Sequence, residues 1–224
     1  MLSRIKAIQK TSLIDYPDKI SCVVFLSGCN FKCGYCHNPD LINKDLESLD
    51  ENEVLEFLVK KKKWLDGVVI SGGEPLLSND FFDFIKKVKA LNYLVKIDTN
   101  GTNPSLLKEL IENKLVDYIA MDLKNTFDKY EETVSVKVDI GKIKESIELI
   151  KNCDIKHEFR CTVLPFLHLK KDILEMDKLV DKLVLQQFNN KGNLLNPKFQ
   201  DYKQFSNGEL EDIKKYCNNC ELRI

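Results

Sequence analysis

Six short runs rich in β-branched and aromatic residues alternate with helical segments between residues 19 and 188, and this alternation constrains the fold more than any other feature. "KISCVVFLS", "GVVIS", "YLVKIDTNG", "VDYIAMDLK", "IKHEFRCTVLP" and "LVLQQF" read as strands. Between them, "DENEVLEFLVKKKKWL", "NDFFDFIKKVKAL", "PSLLKELIENK", "GKIKESIELIKN" and "KKDILEMDKLVDK" read as helices. Asp50 is expected to cap the first, with Glu53 completing a capping box, and Pro104 to open the third. Repeated strand–helix units predict parallel strands joined by right-handed helical crossovers. A closed eight-fold barrel typically needs ~250 residues, and this chain runs out after six units. The expected fold is α/β, a partial (β/α)6 barrel over residues 1–190 with a short C-terminal extension, 191–224, wrapping one end.

Charge and hydropathy narrow the partners. Apolar residues make up 43% and charged residues 31%, which leaves room for a large core and argues against long disordered stretches. A formal net charge of −1 weighs against a polyanion-binding surface, so no nucleic-acid partner is expected, and Lys60 to Lys63 read as a solvated helix face. No apolar segment approaches the ~18 residues of a membrane span, and "MLSRIKAIQKTS" lacks the apolar core of a signal peptide. The expectation is a cytoplasmic protein with no membrane partner.

Unusual residues cluster just after strand ends: "GCNFKCGYC", "GGEP", "DTNG", "DLK" and "QQFNN". In parallel α/β architectures that edge is where sites are built. Cys29, Cys33 and Cys36 fall at C-x3-C-x2-C spacing, which in a reducing compartment points to a soft or borderline metal. A structural zinc would need a fourth ligand, either His37 or a second pair from Cys217 and Cys220 folding back. A 4Fe–4S cluster on three cysteines would leave one iron open to an outside ligand. Cys22, Cys153 and Cys161 stand alone in apolar stretches and read as core residues. Cys217 and Cys220 read first as inert or structural thiols.

Taken together, "GCNFKCGYCHNP", "SGGEP", "DTNG" and "MDLK" resemble the radical S-adenosylmethionine superfamily. The similarity runs from about residue 5 to about residue 190 and is greatest to glycyl-radical-enzyme activating proteins. The stretch "KTSLIDYPDKISCVVFLSGCNFKCGYCHNPDLI" looks most like the activating proteins of anaerobic ribonucleoside-triphosphate reductases, and "DYPD" replaces the DGPG-like stretch of pyruvate formate-lyase activating enzymes. The resemblance implies a radical S-adenosylmethionine barrel whose cofactors are a 4Fe–4S cluster and S-adenosyl-L-methionine, the cluster's electron yielding methionine and a 5′-deoxyadenosyl radical. It implies Cys29, Cys33 and Cys36 as cluster ligands, with Tyr35 and His37 toward the adenine. It also implies that Gly72, Gly73 and Glu74 meet the methionyl ammonium. Asp98, Thr99, Asn100, Asp122 and Lys124 would take the methionyl carboxylate and ribose and, in some relatives, a monovalent cation; the alternative for Asp122 and Lys124 is a surface ion pair. In "HEFRCTV", period two puts Glu158, Arg160 and Thr162 on one face, turned inward, and Arg160 is expected at the cofactor. Asn189 stands about where related enzymes carry a histidine, and Asp18 where they usually carry glycine.

The chain shows no second cysteine cluster of the auxiliary-domain kind, and a partial barrel leaves an open mouth suited to a polypeptide loop. The function expected is therefore hydrogen abstraction from a glycine Cα of a partner glycyl radical enzyme, anaerobic ribonucleotide reductase first, with flavodoxin or ferredoxin as electron donor. The alternatives are a small-molecule enzyme resembling 7-carboxy-7-deazaguanine synthase and a zinc-stabilised interaction module.

Overall fold

The computed structural model describes residues 4–42 and 47–224. Its strands form one eight-stranded sheet in chain order: β1 (Ile5–Ser12), β2 (Ser21–Leu26), β3 (Gly67–Gly72), β4 (Leu94–Thr99), β5 (Tyr118–Asp122), β6 (Lys156–Val163), β7 (Leu183–Gln187) and β8 (Cys220–Arg223). β1 runs antiparallel to β2, and every later pairing is parallel. The order ends on β1 at one edge and β8 at the other, so the sheet is open, as a partial barrel requires. The helices are α1 (Glu51–Lys61), α2 (Phe82–Ala90), α3 (Pro104–Glu112), α4 (Tyr130–Val134), α5 (Ile140–Lys151), α6 (Lys170–Asp177) and α7 (Asn207–Lys214). No helix among the described residues is long and apolar enough to cross a membrane.

The six expected strands are all present, and the period of two explains how they divide their side chains. Val24, Ile70, Ile97, Met121, Phe159 and Leu185 belong to the main core, which the helices share. The alternate positions Val23, Val69, Tyr118 and Ala120 form a second, smaller cluster with Tyr16 from the β1–β2 connection, the Tyr16 and Tyr118 rings 5.8 Å apart. This cluster lies toward the N-terminal ends of the strands. Two residues further along the same face Val69 gives way to Ser71 and Ala120 to Asp122, while β6 is polar all along it, with Glu158, Arg160 and Thr162. Parallel register then sets Asp98 beside Ala120 and Asp122 beside Arg160. The barrel interior is thus charged at the rim, while below it the buried Lys96 and Glu158 stand beside the apolar cluster.

Four elements, β1, α4, α7 and β8, go beyond the expected six units. β1 reads "IKAIQKTS", too polar to announce a strand, because an edge strand buries little of itself. The tail crosses the cysteine loop, where the Leu195 and Asn196 amides donate to the Cys36 and Gly34 carbonyls at 3.1 and 2.9 Å, and then adds α7 and β8 as a further unit. Asp50 does cap α1, but its carboxylate accepts from the Asn52 amide at 2.7 Å, one residue before the Glu53 amide that a capping box uses. Lys60 pairs with Glu56 at 3.3 Å on an exposed face of α1, which ends at Lys61, and in the turn that follows the Lys62 ammonium lies 4.2 Å from the Tyr93 ring centroid. Cys22 and Cys161 are buried as expected, whereas Cys153 is only half-buried, its thiol on the Ile150 carbonyl at 3.2 Å. Asp18 holds φ at 59°, so the backbone keeps a glycine-like left-handed turn with an aspartate in it.

Candidate active site at the C-terminal rim

The loop after β2 carries the three cysteines and is clamped to the end of β3. The Gly73 amide donates to the Leu26 carbonyl at 2.8 Å and the Glu74 amide to the Gly28 carbonyl at 2.7 Å. This approach explains the Gly-Gly pair. A Cβ on Gly72, where φ is +115°, would lie 2.4 Å from the Leu26 oxygen, and one on Gly73 would lie 2.1 Å from the Gly28 oxygen. The backbone that comes so close is the chain's own cysteine loop. Cys29 and Cys36 each accept a backbone amide at 3.4 Å, from Phe31 and Asn38. Burial pushes the Cys29 thiol up to about 12 and raises Cys33 as well, against the pull of the Lys124 ammonium.

Glu74 is almost wholly buried, and both its oxygens accept from the chain's own donors. Oε1 accepts from the Leu76 amide at 2.9 Å and the Thr99 hydroxyl at 2.8 Å, and Oε2 from the Asn100 amide at 2.6 Å. Burial lifts this carboxyl to about 7 although those donors pull it down. Glu74 therefore fastens the end of β3 to the end of β4. Asn100 in turn donates to Asn30 of the cysteine loop at 2.8 Å. Arg4, in which the sequence shows no motif, is a second clasp: it donates to the Ser27, Glu74 and Pro75 carbonyls at 3.2, 3.3 and 2.9 Å and pairs with Asp80 at 2.8 Å.

Beside the cysteines the rim is a chain of alternating charges. Lys124 Nζ lies 2.9 Å from Asp122, Arg160 Nε lies 3.0 Å from the other Asp122 oxygen, and Arg160 reaches Asp98 at 3.4 Å. Asp98 also accepts from the Ser71 hydroxyl at 2.9 Å and pairs with the buried Lys96 below it. Burial alone would raise both acids. Arg160 and Lys124 overcome it at Asp122, holding that carboxyl at about 2, and Arg160 with Lys96 lowers Asp98. Burial would lower Lys124, but Asp122, Tyr35 and Cys33 raise it well above its ordinary value, so it is an ammonium throughout the physiological range.

One cavity of about 260 Å³ gathers the three cysteines, Tyr35, His37, the Gly-Gly-Glu turn, the Asp98-Thr99-Asn100 end of β4, Asp122, Lys124 and Arg160. Asn189 is the expected residue that this wall omits. It is exposed, and its Oδ1 accepts from the Lys191 amide at 3.0 Å within its own loop. β7 ends at Gln187, and the last of its residues on the inner face is Gln186, which lines the cavity in that place. Tyr35 is packed edge-on to Phe188, with ring centroids 6.4 Å apart. Burial makes the His37 ring titrate lower than a free histidine, against the pull of the nearby Asn189 backbone. Thr162, turned inward with Arg160 by the alternation of β6, lines the cavity as well, whereas sequence reasoning missed Ser71, which the same period of two in β3 marks.

A sequence profile describing the radical S-adenosylmethionine superfamily matches residues 23–183. The chain belongs to that superfamily. A protein of Methanocaldococcus jannaschii described as a glycyl-radical enzyme activating enzyme is 37% identical, covering 100% of this chain and 97% of the relative. The pyruvate formate-lyase-activating enzyme of Clostridium pasteurianum is 28% identical over 96% of this chain and 97% of its own length. These full-length matches place the chain among the glycyl-radical-enzyme activating enzymes of the superfamily. Among solved structures, Streptococcus suis SuiB bound to its precursor peptide SuiA shares the fold with a TM-score of 0.70 at 16% identity, matching 90% of this chain and 48% of that one.

The superfamily's cofactors are a 4Fe–4S cluster and S-adenosylmethionine, and the donors present fit both. The loop supplies three thiols, the soft ligands that iron–sulfur clusters take. They are spread around the cavity rather than converged: among the described residues, the Cys, His, Asp or Glu group whose ligand atoms all lie within 4.8 Å of one another is elsewhere, at Asp177, Cys217 and Cys220. Spread thiols suit a cluster with several irons better than one zinc ion. The rim offers an ammonium, a guanidinium and two carboxylates to a zwitterionic amino acid.

Proposed function

We propose that this chain generates a glycyl radical on a partner enzyme, anaerobic ribonucleotide reductase being the partner its sequence most resembles in its activating proteins. The observation that carries this reading is the charged chain Lys124–Asp122–Arg160–Asp98 facing the cysteine loop across one cavity. When bound, the cluster and S-adenosylmethionine supply the electron and the 5′-deoxyadenosyl radical. Lys124 then offers its ammonium to the methionyl carboxylate, Asp98 and Asp122 accept from ammonium or ribose hydroxyls, and Arg160 keeps the two acids ionised. Cys29, Cys33 and Cys36 hold the cluster. Glu74 and the Gly72-Gly73 turn fix the distance between the loop and the rim, so these groups are in place before the cofactor arrives. A reduced flavodoxin or ferredoxin would deliver the electron.

The test is anaerobic. Cluster-loaded protein, S-adenosylmethionine, a low-potential reductant and a candidate reductase are mixed and examined by electron paramagnetic resonance. A doublet from a glycine Cα radical on the reductase, with 5′-deoxyadenosine formed alongside, is the expected result. Cleavage of S-adenosylmethionine with no radical on the reductase would reject that partner. Cleavage at the wild-type rate by a Cys33→Ala protein would reject the ligand set itself.

A further inference from the structure

We propose that Asp177, Cys217 and Cys220 form a three-ligand site for a thiophilic divalent cation, zinc by its chemistry, with water as the fourth ligand, at the end of the sheet opposite the active site. Their ligand atoms already lie within 4.8 Å of one another, and the Cys220 thiol sits 3.3 Å from Asp177 Oδ1. A tetrahedral zinc with Zn–S near 2.3 Å and Zn–O near 2.1 Å sets its ligands roughly 3.5–3.8 Å apart, so small side-chain rotations close the site. Cys217 and Cys220 have the C-x2-C spacing of a zinc half-site.

The loop is built around the carboxylate. Asp177, at the last position of α6, is almost wholly buried and accepts the Asn218 and Asn219 amides at 2.8 and 2.9 Å. Asn219 returns side-chain bonds to the Asp177 and Val180 carbonyls at 3.2 and 3.0 Å, and its own carbonyl accepts the Leu183 amide at 3.0 Å. These bonds hold both thiols over one carboxylate with no ligand present.

The same geometry is unsuited to a redox dithiol. Reactive C-x2-C pairs use a helix N-terminus or a nearby cation to expose a thiolate. Here the pair follows the C-terminus of α7, and the Cys220 thiol lies 3.3 Å from a carboxylate. A divalent cation displaces two thiol protons to solvent and leaves the net charge of the site unchanged, at that of one carboxylate. Both cysteines are only half-buried, which leaves the fourth position to solvent.

The location indicates a staple. Cys220 opens β8 and is paired with Leu183 at the start of β7, whereas the cavity is built on strand C-termini. An ion here would tie the end of α6, the turn after α7 and the edge strand β8 together.

Cluster-loaded protein, kept anaerobic and reduced, is exposed to zinc, desalted and analysed for zinc and iron. The wild type should carry one zinc beyond its cluster iron; Cys217→Ser/Cys220→Ser should lose that zinc and keep its iron. Equal zinc in both proteins would place the ion elsewhere and overturn the proposal. If the variant loses iron too, the wild type is decisive: cobalt added to it in place of zinc should give thiolate-to-cobalt charge-transfer absorption. No such band, or a disulfide joining the pair with no zinc uptake once reduced, would also overturn it.

Discussion

Lys124 shows how one residue can act in two networks. Its ammonium is bonded to Asp122 and lies near enough to Cys29 and Cys33 to pull their titration down, so it joins the acidic rim to the cysteine loop. A charged hydrogen bond to the cofactor is worth ~1.5–3 kcal/mol, so Lys124→Ala should weaken S-adenosylmethionine binding roughly ten- to a hundred-fold while iron content holds. Anaerobic titration of both cluster-loaded proteins measures this; equal affinities would make Lys124 a mere partner of Asp122. Asp122 itself makes a prediction about pH. Its folded carboxyl titrates at about 2 against an ordinary 3.8, so over that interval the folded chain binds fewer protons than the unfolded one. The stability from Arg160 and Lys124 is therefore complete above the ordinary value and lost as pH falls through about 2. The total is on the order of 2 kcal/mol. Unfolding free energies from pH 5 downward should fall less steeply for Asp122→Asn than for the wild type, a difference that cancels the acid lability of the cluster.

At the scale of elements, the site depends on how closely the β2 loop is held to the end of β3. A methyl at Gly73 would meet two backbone oxygens, 2.1 Å from that of Gly28 and 3.2 Å from that of Leu41, and neither can rotate away. Gly73→Ala should therefore push the cysteine loop outward, costing about 1–3 kcal/mol and lowering iron per chain after reconstitution. Gly208→Ala in α7 is the control. A Cβ there meets nothing within 4 Å, and loss of unfolded-state freedom should stabilise the chain by about 0.4–1 kcal/mol. Thermal unfolding and iron analysis of the two variants, side by side, separate crowding of the loop from a general effect of adding a methyl. If Gly73→Ala takes up a full cluster, the clamp is not what positions the cysteines.

The whole molecule carries a second buried charge system at the far end of its interior. Glu158 is on the inner face of β6, almost wholly buried, and is paired with Arg223 of β8 at 3.0 and 3.2 Å and with the Tyr118 hydroxyl at 3.2 Å. The last strand thus supplies the counter-charge to a buried acid on β6. Removing one partner of a fully buried pair costs about 3–5 kcal/mol. Arg223 is 42% exposed, so Arg223→Ala should cost less, about 1–3 kcal/mol after solvent screening. Its unfolding temperature should drop while S-adenosylmethionine affinity holds, because Glu158 lies below the rim. An equal loss of affinity would show the two ends of the barrel to be coupled.

Much of this protein is written locally in its chain. The β-branched runs specify six strands, and their alternation puts Ser71, Asp98, Asp122, Arg160 and Thr162 on one face. The cysteine spacing names the loop that faces them. These follow from periods of two and a few residues, which act within a single element. What only the tertiary structure decided concerns partners far apart in the chain. Arg4 reaches Asp80 across 76 positions, and β1 and β8 are strands only because β2 and β7 offer edges. Glu74 reads locally as a cofactor ligand, and the structure adds donors from Thr99 and Asn100, distant in the chain. Gln186 rather than Asn189 meets the cavity because β7 stops one residue after Gln186, and a side chain beyond a strand's end no longer follows its alternation. Side-chain direction is a local property, but which groups a side chain meets depends on segments whose distance along the sequence carries no signal.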